Sequence, residues 1–538
     1  MVKLSKKIRD LFYNPETDSI SSLLQDIRNT HDEILKITDL SKCTLSSKAE
    51  YAESAIQNFR IPSEGISKGQ HSALIAELFQ GVCRWHSPNS MYNVVASPVM
   101  PTVAAKTFTA LYNPNLCLDT ACGDSLIIEQ KVIKSIAEYI GWNWQEAGGA
   151  FTWGGKATIM YGIKLGLKNC SPESSEKGVK EDVIVLSTAS GHPAHKQDVD
   201  WLGIGINNMF KIKTGKDSRV DLVEMERVIR EKSKEGKKIA AIIISGGSTN
   251  NMVVDPIREV VALRDRLVKE LDLNYTPHVH VDAVVAFPWI FFKDYDFQLN
   301  PLKIEPVARE RISEIIKYLK DLYQADSFGI DFHKMGFCPY MSCAFMVKDK
   351  KSLYKNSDFW RWPFKYSIEN SRPGDGPNSA YVALNVLGVT GFQCLVAYLT
   401  EVAVDLQNKL QETDSFEIIN SNGLGVCVMF VPRIPQNISF TSYEEEANVR
   451  NNYTTFFLKK ISELGNPYYL DEMPSNSTGA NPYPLYSLKA YIMSPYSSTE
   501  SNSKFVKFLV KLKKEIDSRF DFKNANVDLE SEHAHPLK

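Results

Sequence analysis

In the stretch SFGIDFHKMGFCPY, Ser327 to Tyr340, an apolar strand-like run ends in His333-Lys334 and passes at once into Met335-Gly336. Lysine is among the residues least often fully buried. One placed at the rim of a buried sheet is either snorkelling out of the core or chemically engaged. Four other stretches hold comparable candidates. TASGHPAH carries His192 and His195, GGSTNN carries Thr249, and HVHVDAVVAF carries Asp282 and Val284. FTWGGKATIMYGIKLGL opens an amphipathic helix on Gly154-Gly155, followed by Lys156. Each has an ordinary reading when taken alone: the glycine pair as a turn, the histidines as satisfied surface groups, the aspartate as a cap. Together they supply free N–H groups and a helix dipole for a phosphate, a carboxylate for a ring nitrogen, a flat ring to stack, and an amine for a Schiff base. Pyridoxal 5′-phosphate requires all four. A zinc reading of HPAH lacks both an HExxH pattern and a clear third ligand, so no metal is expected.

These residues need a scaffold that brings them to one rim. From about residue 100 to 400, helical segments alternate with short β-branched runs: EDVIVLS, NMFKIK, KIAAIIIS, HVHVD, DSFGID and SCAFMVK. That alternation predicts an α/β domain with a mainly parallel sheet, in which ligands bind beyond the carboxyl ends of the strands. The candidate residues follow those runs. The first ninety or so residues read as helical, with TDSISSLLQDIRNTHDEILKITDL and GQHSALIAELFQGVCRW at helical spacing. After about residue 400 come a helix in FQCLVAYLTEVAVDLQNKL, strands in FEIIN, VCVMFVP and YSLKAYIM, a helix near 443–463, and a last helix in FVKFLVKLKKEID. The tail NVDLESEHAHPLK reads as a frayed end.

Bulk properties narrow the class. With 538 residues, 43% hydrophobic and 23% charged, the chain has ordinary globular composition and length for more than one domain. A formal net charge of -2 gives no drive toward nucleic acid or anionic membrane. The lysine-rich runs alternate with glutamate and read as solvated helix ends. The nine cysteines form no CxxC pair and their odd number opposes a complete disulfide framework, which predicts a reducing, cytoplasmic setting. MVKLSKKIRDLFYN is basic, but no continuous apolar run follows it, so no secretory signal is expected. No run approaches the eighteen or so apolar residues of a bilayer span. A nucleotide-binding use of the glycine pair lacks both G-x-G-x-x-G and the Walker pattern.

Five stretches, in order, resemble motifs of the group II pyridoxal-phosphate-dependent decarboxylases, the family of the aromatic amino acid, glutamate and tyrosine decarboxylases. DSFGIDFHKMGFCPY is similar to the family's "aDS…D-P-H-K" signature, HVHVDAVVAF to its "HVDAA" strand, and FTWGGKAT to its "TSGGSEAN" loop. STASGHPAHKQDVDWLGIG resembles "SDQAHYSVEKAARLLGLG", and SGGSTNNMVVDPI resembles "AGTTNTGAIDPI". The resemblance runs from about residue 95 to 400, with SLKAYIMSPYSS a weaker echo further on. It implies that Lys334 bears the cofactor as a Schiff base, that His333 helps hold the phosphate, and that Asp282 pairs with the pyridine nitrogen. Gly155 and Lys156 fall in the phosphate loop and Thr249 near the cofactor. Ungapped alignment on Leu202-Gly203-Ile204-Gly205 selects His192 as the ring-stacking histidine, with His195 one helical turn further as the alternative. Lys156 stands where the family has Ser or Thr, Phe332 where it has proline, and Val284 where a small residue packs on the ring. The aromatic-rich FPWIFFKDYDFQLNPLKI reads as an insertion. Tyr366 is the candidate by position for the proton donor.

The resemblance further implies an α/β, transferase-like fold of type I, with a mainly parallel central sheet and a smaller C-terminal α+β domain. The boundaries expected are 1–95 for a helical segment wrapping a partner, 96–400 for the cofactor domain and 401–538 for the small domain. The function implied is decarboxylation of an L-amino acid to its amine and CO2, by a homodimer with shared active sites. The stretch Asn370 to Gly374 resembles a segment near that interface. The alternatives are a carbon–carbon lyase or oxidative deaminase using the same cofactor, and a cofactor-binding protein without turnover.

Overall fold

The computed structural model describes residues 5–14, 16, 20–45, 53–179, 182–354, 360–475 and 483–522. The tail from Asn526 onward lies outside them. Seven strands form the larger sheet: β1 (Gly148–Thr152), β2 (Val183–Thr188), β3 (Met209–Ile212), β4 (Lys238–Ser245), β5 (His278–Asp282), β6 (Ser327–Asp331) and β7 (Cys343–Val347). Their order is β1-β7-β6-β5-β4-β2-β3. From β6 through β3 the pairing is parallel, and β7 runs antiparallel to both β6 and β1. The central strands β2, β5 and β6 are buried throughout and β4 nearly so, as expected of strands covered on both faces. β1, with the sequence GGAFT, carries too little strand propensity to be read from sequence.

The helices of seven residues or more are α1 (Ile20–Ile37), α2 (His71–Glu77), α3 (Met100–Tyr112), α4 (Asp124–Ile140), α5 (Gly155–Cys170), α6 (Ala194–Trp201), α7 (Leu222–Lys234), α8 (Ile257–Glu270), α9 (Pro306–Leu319), α10 (Asp375–Gln411), α11 (Tyr443–Glu463) and α12 (Thr499–Asp517). α5 lies across β4, β5, β6 and β7. It approaches closely because Gly162 has no side chain: a Cβ there would fall 2.7 Å from the His280 ring. Its amino end is thereby brought to the carboxyl ends of the parallel strands.

The first six residues of the segment read as an aromatic insertion are core, while 293–303 stays part-exposed. Phe287–Phe292 forms a short 3-10 helix, every residue of which is buried, packed between α9 and α10. Trp289 and Phe292 are fully enclosed. α10 begins well before the predicted helix and breaks at Gly388. It packs on α3, α4 and α12. By length and composition alone it is the one helix among the described residues that could cross a membrane.

The second sheet, β8 (Phe416–Ile418), β9 (Cys427–Pro432), β10 (Asp471–Ser475) and β11 (Leu485–Tyr491), is antiparallel in the order β10-β11-β9-β8. Asp471 and Lys489 face each other across β10 and β11 in a buried 2.6 Å ion pair. Near the amino end, α1 packs against α2, yet none of its residues is buried.

Candidate cofactor site

The carboxyl ends of β2, β4, β5 and β6 open on one rim, and the loops leaving them carry the candidate side chains. Lys334 follows β6. Its Nζ lies 2.8 Å from Asp331 Oδ2, on a carboxylate that is almost completely buried. Asp331 Oδ1 has no hydrogen-bond partner among the described residues. Burial pushes the Lys334 amine down, but Asp331 and the nearby Asp282 outweigh it and hold the pKa above the usual lysine range. The amine is therefore an ammonium at neutral pH. His333 is buried and held below the usual histidine range by that burial. Its Nδ1 lies 3.2 Å from the Ser342 carbonyl oxygen and 3.3 Å from the Ser342 nitrogen, and its Nε2 is 3.6 Å from Asp331 Oδ2. The Tyr340 ring packs on His333 with centroids 4.1 Å apart.

Asp282 ends β5. Burial alone would raise its pKa, but a hydrogen bond from His195 and the charges of His195, Lys334 and His192 hold it well below the usual carboxylate range. His195 Nε2 is 3.2 Å from Asp282 Oδ2, and His195 Nδ1 is 2.9 Å from Ser187 Oγ. His192, one turn earlier, is the more open of the two. Burial lowers its pKa, and its ring lies in the field of Asp282, Lys334, His195 and Asp331. Val284 is buried beyond Asp282 and donates its N–H to Asp282 Oδ1 at 3.4 Å.

Gly155 starts α5 at the same rim. A Cβ there would fall 2.9 Å from Asp331 Oδ2 and 3.0 Å from Val284 Cγ1, so only glycine leaves a cradle between helix end and strand loops. Lys156 turns toward α6: its Nζ donates to Gln197 Oε1 at 3.0 Å and lies 4.0 Å from Asp198 Oδ1. Thr249 follows β4, and its carbonyl accepts from the Tyr491 hydroxyl of β11, tying the second sheet to the rim. Tyr366 is placed differently. Its hydroxyl donates to the Trp360 carbonyl at 3.5 Å, its ring packs on Tyr354, and the charges near it are the buried Glu129–Arg372 pair. The tyrosine in the field of Lys334 is Tyr340.

Asp331, His333 and Cys343 bring ligand-type atoms within 4.8 Å of one another. The Lys334 ammonium already neutralises Asp331 there, so the cluster reads as one wall of the same cradle. Sequence reading left Asp331 without a role, although its i, i+3 spacing to Lys334 was the available signal. It also weighed His195 only as a stacking ring.

The half-buried amine, the ionised carboxylate near it and the glycine-lined helix start fit pyridoxal phosphate. The chain is homologous to the group II pyridoxal-phosphate-dependent decarboxylases. Among its relatives, the acidic amino acid decarboxylase GADL1 of Bos taurus is 24% identical over 349 residues, 62% of this chain and 61% of the bovine protein. The L-tyrosine decarboxylase of Levilactobacillus brevis is 30% identical over 226 residues, 37% of this chain and 36% of that protein. The chain thus aligns with less than two thirds of the length of either. No protein-family model matches it. The crystal structure of mouse CSAD in apo form superposes with a TM-score of 0.76 at 16% identity, over 92% of this chain and 99% of that one.

These superpositions correct the expected fold class. The transferase-like, type I assignment is replaced by the fold of the group II decarboxylases, because the whole-chain matches are to decarboxylases of that group. An alternation of strands and helices is common to many α/β enzymes. It carries neither the strand order, nor the antiparallel β7, nor the long α10.

Proposed function

We propose that this chain is a pyridoxal-phosphate-dependent decarboxylase that converts an L-amino acid to its amine and CO2. The observation that carries the reading is Lys334: a half-buried amine at the carboxyl end of β6, in the combined field of Asp331 and Asp282. Lys334 would bind the cofactor covalently, Asp282 would accept from its ring nitrogen, and His192 would stack on one ring face with Val284 on the other. The amide end of α5 at Gly155, with His333 and Thr249, would hold the phosphate. Lys156 is read as a brace for α6, since its ammonium is directed there. Tyr366 is not carried forward as proton donor, because its hydroxyl is engaged at Trp360. When bound, the cofactor supplies an electron sink that lets the bond between Cα and the carboxylate break. Relatives named for acidic amino acids and for tyrosine have the L-amino acid in common, and that is the class proposed.

The same reading takes the active form to be a homodimer. Leu24, Ile27 and Leu35 of α1, Phe108 and Tyr112 of α3, and Val386 and Val389 of α10 are all exposed in the single chain. A second copy would bury them. It takes the setting to be cytoplasmic, which suits nine free cysteines. It divides the chain at about residues 95 and 400. Borohydride reduction of the cofactor-loaded protein, followed by peptide mass spectrometry, tests the central residue. A phosphopyridoxyl adduct on Lys334 is expected; an adduct on another lysine, or none, overturns the assignment.

A further inference from the structure

Ser187, His195 and Asp282 form a line of hydrogen bonds from β2 through α6 to the end of β5. His195 is 1% exposed, and both its ring nitrogens are engaged, at 2.9 Å to Ser187 Oγ and 3.2 Å to Asp282 Oδ2. An ionised carboxylate can only accept, so His195 Nε2 carries the hydrogen that is donated to Asp282. In the neutral ring Nδ1 is then the acceptor, and the Ser187 hydroxyl donates to it at 2.9 Å. The serine thus fixes which tautomer faces the aspartate. His192, in the turn just before the helix, stands at the open rim, so the two histidines divide the work.

We propose that His195 is a positioning residue, one that holds Asp282 in the orientation and charge state needed at the cofactor's ring nitrogen, with Ser187 setting its tautomer. This rests on the reading of the rim as a pyridoxal-phosphate site. A buried carboxylate is costly to keep ionised unless donors surround it. Asp282 is faced by His195 from α6, by His192 from the turn before it, by Lys334 from the loop after β6 and by His280 on its own strand. Asp198 of α6 also senses it. Once Lys334 carries the cofactor its ammonium is gone from this set. His195 is then the side-chain donor bonded to Asp282, beside the longer contact from the Val284 N–H at 3.4 Å.

The test compares the parent protein with His195→Leu, His195→Gln and Ser187→Ala. Three quantities are read: melting temperature without cofactor, equilibrium affinity for pyridoxal phosphate, and the pH titration of the bound cofactor's absorption band. Losing a hydrogen bond to a charged group is expected to weaken cofactor affinity about tenfold or more in His195→Leu and to move the titration. His195→Gln keeps an N–H donor and is expected to stay within about threefold of the parent. Ser187→Ala is expected to fall between them, and it carries the test if His195→Leu does not fold. Affinity and titration unchanged in His195→Leu or Ser187→Ala overturn the proposal. So does a loss in His195→Leu that glutamine fails to restore, which would assign the effect to packing. A parent protein that binds no pyridoxal phosphate removes the site reading itself.

Discussion

Lys334 is held as an ammonium by Asp331, and only its neutral form can attack an aldehyde, so cofactor uptake is expected to accelerate as pH rises toward the elevated lysine pKa. Asp331→Asn removes the charge that raises it. The midpoint of uptake, followed by absorbance after mixing with pyridoxal phosphate, is expected to move to lower pH, with faster uptake at neutral pH. An unmoved midpoint would mean that Asp331 does not control the amine. Asp198 offers a second test at this scale. Both of its oxygens are buried without hydrogen-bond partners among the described residues, and burial pushes its pKa up to about 7. Between the ordinary carboxylate value and pH 7 the folded state holds a proton that the unfolded state has released. Stability therefore falls as pH rises across that window and is level above it. Asp198→Asn is expected to be more stable than the parent by a margin that grows over the same window, to about 4 kcal/mol at most. Denaturant titrations at several pH values check this, and a margin independent of pH contradicts it. In the sequence, Lys334, His333 and Asp282 stood out because motif and strand end coincide. The partition between His192 and His195 did not, because ungapped alignment cannot see which ring reaches across from α6 to β5.

At the scale of elements, the approach of α5 to the sheet is the feature that places Gly155 at the rim where the proposed phosphate site would lie. A methyl group on Gly162 would meet the His280 ring at 2.7 Å, inside ordinary contact. Gly162→Ala, which in an exposed helix would stabilise by about 1 kcal/mol, is expected here to destabilise by about 1–3 kcal/mol. A denaturation midpoint equal to or above the parent's would contradict this packing. Strands β2 to β7 were legible as short apolar β-branched runs, and their carboxyl ends pointed to the rim. β1 was not, because GGAFT is held in the sheet by pairing with β7 and not by its own propensity. The aromatic segment after β5 resembles an insertion because it lacks strand or helix period; tertiary packing between α9 and α10 makes its first six residues, Phe287–Phe292, core. Tyr366 was picked by position alone, and position does not report that Trp360 and Tyr354 hold it elsewhere.

At the scale of the molecule, the exposed apolar residues of α1, α3 and α10 are the ones the proposed dimer would bury. Light scattering after gel filtration is expected to give twice the chain mass. Replacing Phe108 and Val386 together by glutamate is expected to shift the protein toward single chains, and a monomeric parent protein would contradict the dimer. The composition and cysteine pattern set the class of molecule, but the fold type came only from whole-chain superposition, since local motifs do not encode strand order. Decarboxylation through Lys334 is tested most directly by mass spectrometry of products. The protein, loaded with pyridoxal phosphate, is incubated with a panel of L-amino acids, alongside Lys334→Ala. An amine lacking the carboxyl group is predicted from at least one amino acid, and none from the variant, whose melting temperature without cofactor stays close to the parent's. A keto acid or aldehyde as the product, or an amine formed equally by the variant, would contradict it.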